Sequence, residues 1–419
     1  MILDARAYTL LKRIKGTVKR APSRRFGLIL TPSRRIARAA PPGERVVAMT
    51  FEDGPTKLPA EPDVSDGAGV TEQLLDTLRE FGARGTFCVI GSTAENYPDV
   101  SGRPGSRYVF GKKYSHYAAF GLDDMAGALA CPELIRRIDR EGHELASHTY
   151  RHIMYGRSLV YASRASLKGL REAVADLKRL HELIYGLTRY EMRFMRPPHF
   201  IDKLRDGHSA YDACEAMGYH YLASSFDGGG YLRYGLKSGG YEESVEAMIK
   251  PLRDALESDP TSLAGRIISQ KDGLDASRRS PVKSALRGQL QLLEKYGYRV
   301  ITASELLYRS PFEDVRPAHD CFEAVRALDR AGFTTGFRDN RFYPERVMTK
   351  SELGIVFTPP GSARPATAVI DTNDLASARL ISARAEEVFE KTEGQPASNR
   401  RGDVAVWLHR LAVLNGICR

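Results

Sequence analysis

Cysteine is scarce in this chain. Its 419 residues hold five (Cys88, Cys131, Cys214, Cys321 and Cys418), an odd number with no Cys-x-x-Cys pair. That argues against a disulfide framework and a thiolate metal site, and leaves the thiols as small buried hydrophobes. Long apolar runs are also missing: none approaches the roughly 18 residues that a membrane span needs. The N-terminus lacks the apolar core of a secretory leader, because Phe26–Leu30 is too short to supply one. What is present, 42% hydrophobic and 27% charged residues, is ordinary globular usage and excludes a disordered chain. The length suits two or three domains.

Basic charge is lacking where a nucleic-acid-binding domain would carry it. Lys+Arg number 62 against 52 Asp+Glu, a net +10, yet residues 1–40 alone hold eleven Lys+Arg and one acid, Asp4. Residues 41–419 are therefore neutral, and no nucleic-acid partner is expected. Within 1–40, Leu3, Ala7, Leu10, Leu11, Ile14 and Val18 recur at helical spacing among Lys12, Arg13, Lys15, Lys19 and Arg20. This predicts a basic amphipathic N-terminal arm. Such an arm either packs on its own domain or makes peripheral contact with an anionic membrane or wall polymer.

Pro41-Pro42-Gly43 closes the arm, and a strand–helix alternation begins. VVAMTF (46–51) and GTFCVI (85–90) read as buried strands around a helix over 71–81, with Thr71 as N-cap. Helices over 132–141, 164–185, 208–217 and 281–296 follow, leading into HELASH, FMRPPH, YHYLASS and YRVITASELL respectively, with a further apolar run, GRIIS, before the last helix. Six or more strands alternating with helices predict a parallel sheet and an α/β barrel over 41–310. The stretches 56–70 and 96–130 interrupt the pattern as rim loops. Beyond 310 the texture changes to short helices and turns, a small all-α C-terminal domain over 311–419.

Three stretches at strand ends carry chemistry. TFEDGP (50–55) presents the adjacent carboxylates Glu52 and Asp53 before a sharp Gly-Pro turn. SHTYRH (147–152) sets His148 and His152 four apart, on one face of a helical turn, where two imidazoles suit a metal ion. RFMRPPH (193–199) places Arg196 ahead of a stiff Pro-Pro pair that fixes the His199 amide. Read singly, each is as readily a solvated turn, two surface histidines or a rigid loop.

In this order the three motifs resemble the polysaccharide deacetylases of carbohydrate esterase family 4, the NodB-homology group, from about Val46 to Leu307. The resemblance implies a distorted (β/α) barrel and a metal-dependent hydrolase that removes acetyl groups, N-acetyl favoured, from a carbohydrate. It implies Asp53, His148 and His152 as ligands of zinc or another divalent metal, with an acetylated glycan as substrate. Glu52 stands where the family has an aspartate base, Arg196 matches the arginine that positions that base, and the His199 amide takes the oxyanion role. His143 matches a structural feature, and Asp227 falls near the acid of a fourth motif. The last motif departs: IISQKDG (267–273) puts Lys271 where the family has a histidine acid, as proton donor or as fixed positive charge.

The tail from Pro311 to about Thr358 resembles an S-layer homology repeat, with Thr349-Lys350-Ser351-Glu352 at its closing signature. A degraded copy over about 365–415 has Arg401-Gly402-Asp403 there. That resemblance implies an anionic cell-wall polymer as partner, with Lys350 and Arg401 as contacts. It points to the cell surface, whereas the missing leader points to the cytoplasm. Two rival readings follow: a catalytically weakened wall-glycan-binding protein, and an intracellular amino-sugar deacetylase.

Overall fold

The computed structural model describes residues 33–60, 68–92, 108–109, 112–113, 126–156, 166–228, 241–273, 280–330, 336–347 and 400–414. Strands β1 (Arg35–Ile36), β2 (Val46–Glu52) and β3 (Thr86–Val89) come first, then a two-stranded ribbon, β4 (Tyr108–Val109) and β5 (Lys112–Lys113). They are followed by β6 (Glu144–Ser147), β7 (Phe194–Met195), β8 (His220–Leu222), β9 (Phe226–Asp227), β10 (Ile267–Lys271) and β11 (Arg299–Ile301). The helices are α1 (Val70–Glu80), α2 (Pro132–Arg140), α3 (Leu170–Thr188), α4 (Ala210–Met217), α5 (Tyr241–Ser258), α6 (Pro281–Lys295), α7 (Ala303–Arg309), α8 (Phe322–Arg330) and α9 (Arg401–Leu414).

Nine strands form one sheet in the order β1-β8-β7-β6-β3-β2-β10-β9, with β11 pairing β2. Every pairing within it is parallel, so each crossover needs a helix or long connection. The result is the expected (β/α) barrel, curled but incomplete, because the ladder runs from β1 to β9 as an open path.

Side-chain alternation explains how this barrel makes room for a site. Val47, Met49 and Phe51 face outward into the large core under the helices, with Phe87, Leu145, Met195, Tyr221 and Ile268. The alternate residues Val46, Ala48, Cys88, Ala146, Phe194, Leu222, Ile267 and Ile301 point inward and form a second apolar cluster. Helix α7 plugs that interior from the amino ends of the strands, adding Ala303, Leu306 and Leu307. Its N-terminus is fixed there: Ala303 N donates to Thr86 Oγ1 at 2.9 Å and Ser304 N to Glu144 Oε2 at 3.1 Å. Continuing the inward parity, past Thr50 on β2 and Ser269 on β10, brings in Glu52, His148, Arg196 and Lys271 at the opposite, carboxyl mouth, where (β/α) barrels build their sites.

Some local readings need correction. Thr71 is not a helix cap: α1 starts at Val70, and Glu72 Oε2 accepts from Gly69 N at 2.9 Å. The Thr71 hydroxyl instead turns inward, accepting from Thr56 N (2.8 Å) and donating to Asp272 Oδ1 (2.7 Å). The arm expected over 1–40 lies outside the described residues as far as 32. Its last eight residues are part of the fold. Residues Arg35 and Ile36 pair in parallel with Tyr221 and Leu222, and Arg34 is buried.

This segment also ties the barrel to the C-terminal region. Arg34 forms an ion pair with Asp329 of α8 (3.3 Å), donates to Pro311 O (3.1 Å) and lies over the Phe312 ring. Arg35 N donates to Arg338 O at 2.7 Å, Ala40 N to Phe312 O at 2.9 Å, and Asn340 Nδ2 to Arg38 O at 3.0 Å. In the C-terminal region, α8 and α9 share a small core of Phe312, Val325, Phe342, Val404 and Leu408. The four described cysteines are buried and free, as expected of small hydrophobes.

Two outcomes are expected from this packing. Arg34→Ala takes a buried guanidinium away from the partly exposed Asp329 carboxylate and from Pro311 O, and should cost about 1–3 kcal/mol in chemical unfolding. His143, whose Nδ1 accepts from Gly85 N, is held neutral by burial, its pKa pushed down to about 4. An unfolded chain takes up that proton below the ordinary 6.5 whereas the fold refuses it, so stability falls as the solution is acidified through that window. Relative to a His143→Gln variant, the wild type should lose about 2–3 kcal/mol between pH 7.5 and 4.5 in urea titrations.

Candidate active site

Asp53 follows directly on β2. Its backbone turns into the left-handed region (φ 82°), which swings its side chain out of the strand's alternation. The chain then passes Gly54, where a Cβ would lie 1.8 Å from Asp272 Oδ2, so only glycine fits. Asp272 N donates to Glu52 O at 2.6 Å, locking the ends of β2 and β10 together. Burial raises the Asp272 carboxyl to about 7.

His148 and His152 lie on the loop that leaves β6, not on the helical turn that their spacing predicts. Thr149 (φ 73°) and His152 (φ 52°) are both left-handed, a path no helix takes, yet the ring centroids approach to 4.9 Å. Helix α3 clamps this loop. Asp176 Oδ2 accepts from Tyr150 N (2.7 Å), its Oδ1 accepts from Arg151 Nε (2.8 Å), and Arg179 stacks on the Tyr150 ring at 3.8 Å. That ring also packs against Gly91, where a Cβ would meet it at 2.2 Å.

These elements bring one carboxylate and two imidazoles together. Asp53 Oδ1 lies 3.2 Å from His148 Nε2 and 3.0 Å from His152 Nε2, and all three residues are buried. Their ligand atoms fall within 4.8 Å of one another. The neighbouring contact shows what such a trio suits. His148 Nδ1 is 2.8 Å from the Arg196 carbonyl, an acceptor, so Nδ1 carries a proton and Nε2 is the ring atom directed at Asp53. Two imidazole Nε2 atoms and one carboxylate gathered in a buried place form a donor set that fits zinc or a similar divalent ion.

Resident cations surround these carboxylates. Lys271 Nζ pairs with Asp53 Oδ2. Burial works to raise the Asp53 carboxyl, but Lys271 and the two histidines override it and hold it well below the usual carboxylate range. Burial likewise pushes His152 down to about 4. Arg196 is fully buried and donates to Glu52 Oε2 (3.3 Å), Leu222 O (3.2 Å) and Ala223 O (3.2 Å). The half-exposed Phe200 ring covers this guanidinium at 5.3 Å. His199 sits in the turn before it, itself left-handed (φ 56°), with its ring 5.5 Å from that of His152. Of eight non-glycine residues with positive φ among the described residues, Asp53, Thr149, His152, His199 and Phe200 gather here, the clustering of backbone strain typical of a functional site.

The remaining candidates are placed elsewhere. Asp227 is exposed at the end of β9, in register with Ser269 one strand over from the Lys271 side of the site. Arg401, expected to meet an anionic polymer, is instead buried, its guanidinium over the Phe342 and Phe337 rings at 4.3 and 4.8 Å. Lys350 lies outside the described residues. Sequence reasoning missed Asp176, Thr71, Asp272 and Phe200. Only Asp272, beside Lys271 in the last motif, carried a local signal.

A parallel barrel with its charged layer at the carboxyl mouth is the class of protein that this fold and site define. Residues 39–210 match the polysaccharide deacetylase family model, and residues 311–353 match the S-layer homology domain model. The chain thus carries a polysaccharide deacetylase domain followed by an S-layer homology domain. It is 24% identical over 280 residues to a peptidoglycan-N-acetylglucosamine deacetylase of Bacillus cereus, covering 66% of this chain and 95% of that one. It is 23% identical over 303 residues to a chitin deacetylase of Colletotrichum lindemuthianum, covering 71% and 92%. The solved structure of the chitin deacetylase from that fungus aligns over 65% of this chain and 90% of its own, with 20% identity and a TM-score of 0.44.

The clamp on the histidine loop gives a direct test. If the Asp53–His148–His152 trio holds a divalent ion, Asp176→Ala should weaken that binding by about 10–100-fold, as loss of a partner behind metal ligands typically does. Zinc titration of the purified variant against the wild type reads this, and equal affinities would show that the loop needs no clamp.

Proposed function

We propose that this chain is a metal-dependent hydrolase that removes acetyl groups from a carbohydrate, N-acetyl in preference to O-acetyl, on a cell-wall or extracellular polysaccharide. The observation that carries the proposal is the convergence of Asp53 Oδ1 with two imidazole Nε2 atoms beside the buried Glu52–Arg196 pair. The names of the peptidoglycan and chitin deacetylase relatives support the substrate class.

Asp53, His148 and His152 would hold the metal. A bound zinc or similar ion supplies Lewis acidity toward the acetyl carbonyl and acidifies water. Glu52 takes the proton of the attacking water on its carboxylate, held in orientation by Arg196. The His199 amide holds the charge that develops on the carbonyl oxygen. Lys271 keeps a proton at Nζ for the departing amine. The S-layer homology domain supports an anionic wall polymer as second partner. With Arg401 buried, such a contact falls to other residues.

A second reading, a wall-glycan-binding protein with little catalysis, is favoured by one observation: Lys271 already occupies the Asp53 carboxylate. The double variant Glu52→Asp, Lys271→His separates the two. Activity that appears only in the double variant establishes the binding reading.

The purified full chain should hold about one zinc ion, as three protein ligands to a catalytic ion imply. His148→Ala and His152→Ala should each lose both the metal and acetate release from chitin oligomers, peptidoglycan or acetylated xylan. Glu52→Gln should retain the metal and lose about 100-fold or more in rate. Undiminished acetate release from a metal-free double histidine variant would refute the proposal.

A further inference from the structure

We infer that Lys271 is a resident competitor for the cation at the Asp53–His148–His152 centre, setting a weak, exchangeable metal affinity and keeping the metal-free fold stable. The inference rests on the reading of those three residues as metal ligands. Lys271 is the last residue of β10 and lies in register with Glu52, which fixes it among the inward-facing side chains of the carboxyl mouth. Its side chain is only 10% exposed, and its ammonium sits on Asp53 Oδ2 while Oδ1 faces the imidazoles.

Charge counting gives the consequence. Glu52 is answered by Arg196 and Asp53 by Lys271, so these two ion pairs are each neutral, with the Asp272 carboxyl beside them. A divalent ion arriving there meets an Asp53 carboxylate whose charge Lys271 already balances. With a neutral residue at 271 the same mouth carries one more unit of net negative charge, and the ion is drawn in. The repulsion acts in a buried place, where a unit charge a few ångströms away counts for much more than in water. Conversely, a buried carboxylate stripped of its paired ammonium is costly until a metal replaces that ammonium. Lys271 therefore trades metal affinity for stability of the empty centre.

The experiment uses the full chain, stripped with a chelator and titrated with zinc against a competing indicator, alongside thermal unfolding with and without zinc. Lys271→Met should bind zinc at least tenfold more tightly than the wild type. Its metal-free form should melt below the metal-free wild type, and zinc should raise its melting temperature more than it raises that of the wild type. If metal-free Lys271→Met does not fold, Lys271→His supplies the affinity, with the same direction expected. Asp53→Asn and His148→Ala mark the ligand set by losing zinc. If they lose it while both Lys271 variants bind no more tightly than the wild type, the role of Lys271 is overturned and the metal centre stands. If Asp53→Asn and His148→Ala bind zinc like the wild type, the metal centre itself falls, and this inference with it.

Discussion

A carboxylate fully removed from water has to be answered by positive charge or by hydrogen-bond donors, and the Asp53 side chain imposes that condition on everything around it. His148, His152 and Lys271 all reach it, the two histidines from the loop after β6 and the lysine from the end of β10. The left-handed backbone at Asp53, Thr149 and His152 is the cost of bringing them in. The clamp from α3 and the tie between Asp272 N and the end of β2 hold that geometry in place.

The barrel supplies the frame through a simple parity. Alternate residues of each strand face inward, and the inward set ends in charged side chains at the carboxyl mouth. Helix α7 fills the apolar end, so the charged end is the one left as a mouth. Cys88, in register with Glu52, marks the transition. Its thiol is pushed up to about 12 by burial, a neutral filler rather than a nucleophile.

Much of this was legible in the sequence because it repeats. Strand–helix alternation announced the barrel, and the acidic pair, the two histidines and the Arg-Pro-Pro segment lay in order at strand ends. What was not legible depends on contacts between distant residues. The spacing of His148 and His152 suggests a helical turn, yet two left-handed residues bring the rings together by another path. Thr71 looks like a cap because of its position, but its hydroxyl serves Asp272, 201 residues away. The arginines at 34, 35 and 38 read as part of a basic arm because composition cannot reveal that the buried Arg34 meets Asp329, 295 residues away. Arg401 looked like a surface cation for the same reason, until the two phenylalanine rings beneath it are counted.

The short edge strand β1 has a mechanical meaning. Because residues 33–40 are hydrogen-bonded both to β8 and to the segment around Phe312 and Arg338, the barrel and the C-terminal region share a common seam in addition to their covalent junction. Two bodies joined at a single point swivel, whereas two joined along a seam turn together. A load on the C-terminal region therefore passes to the barrel along this seam as well as through the chain.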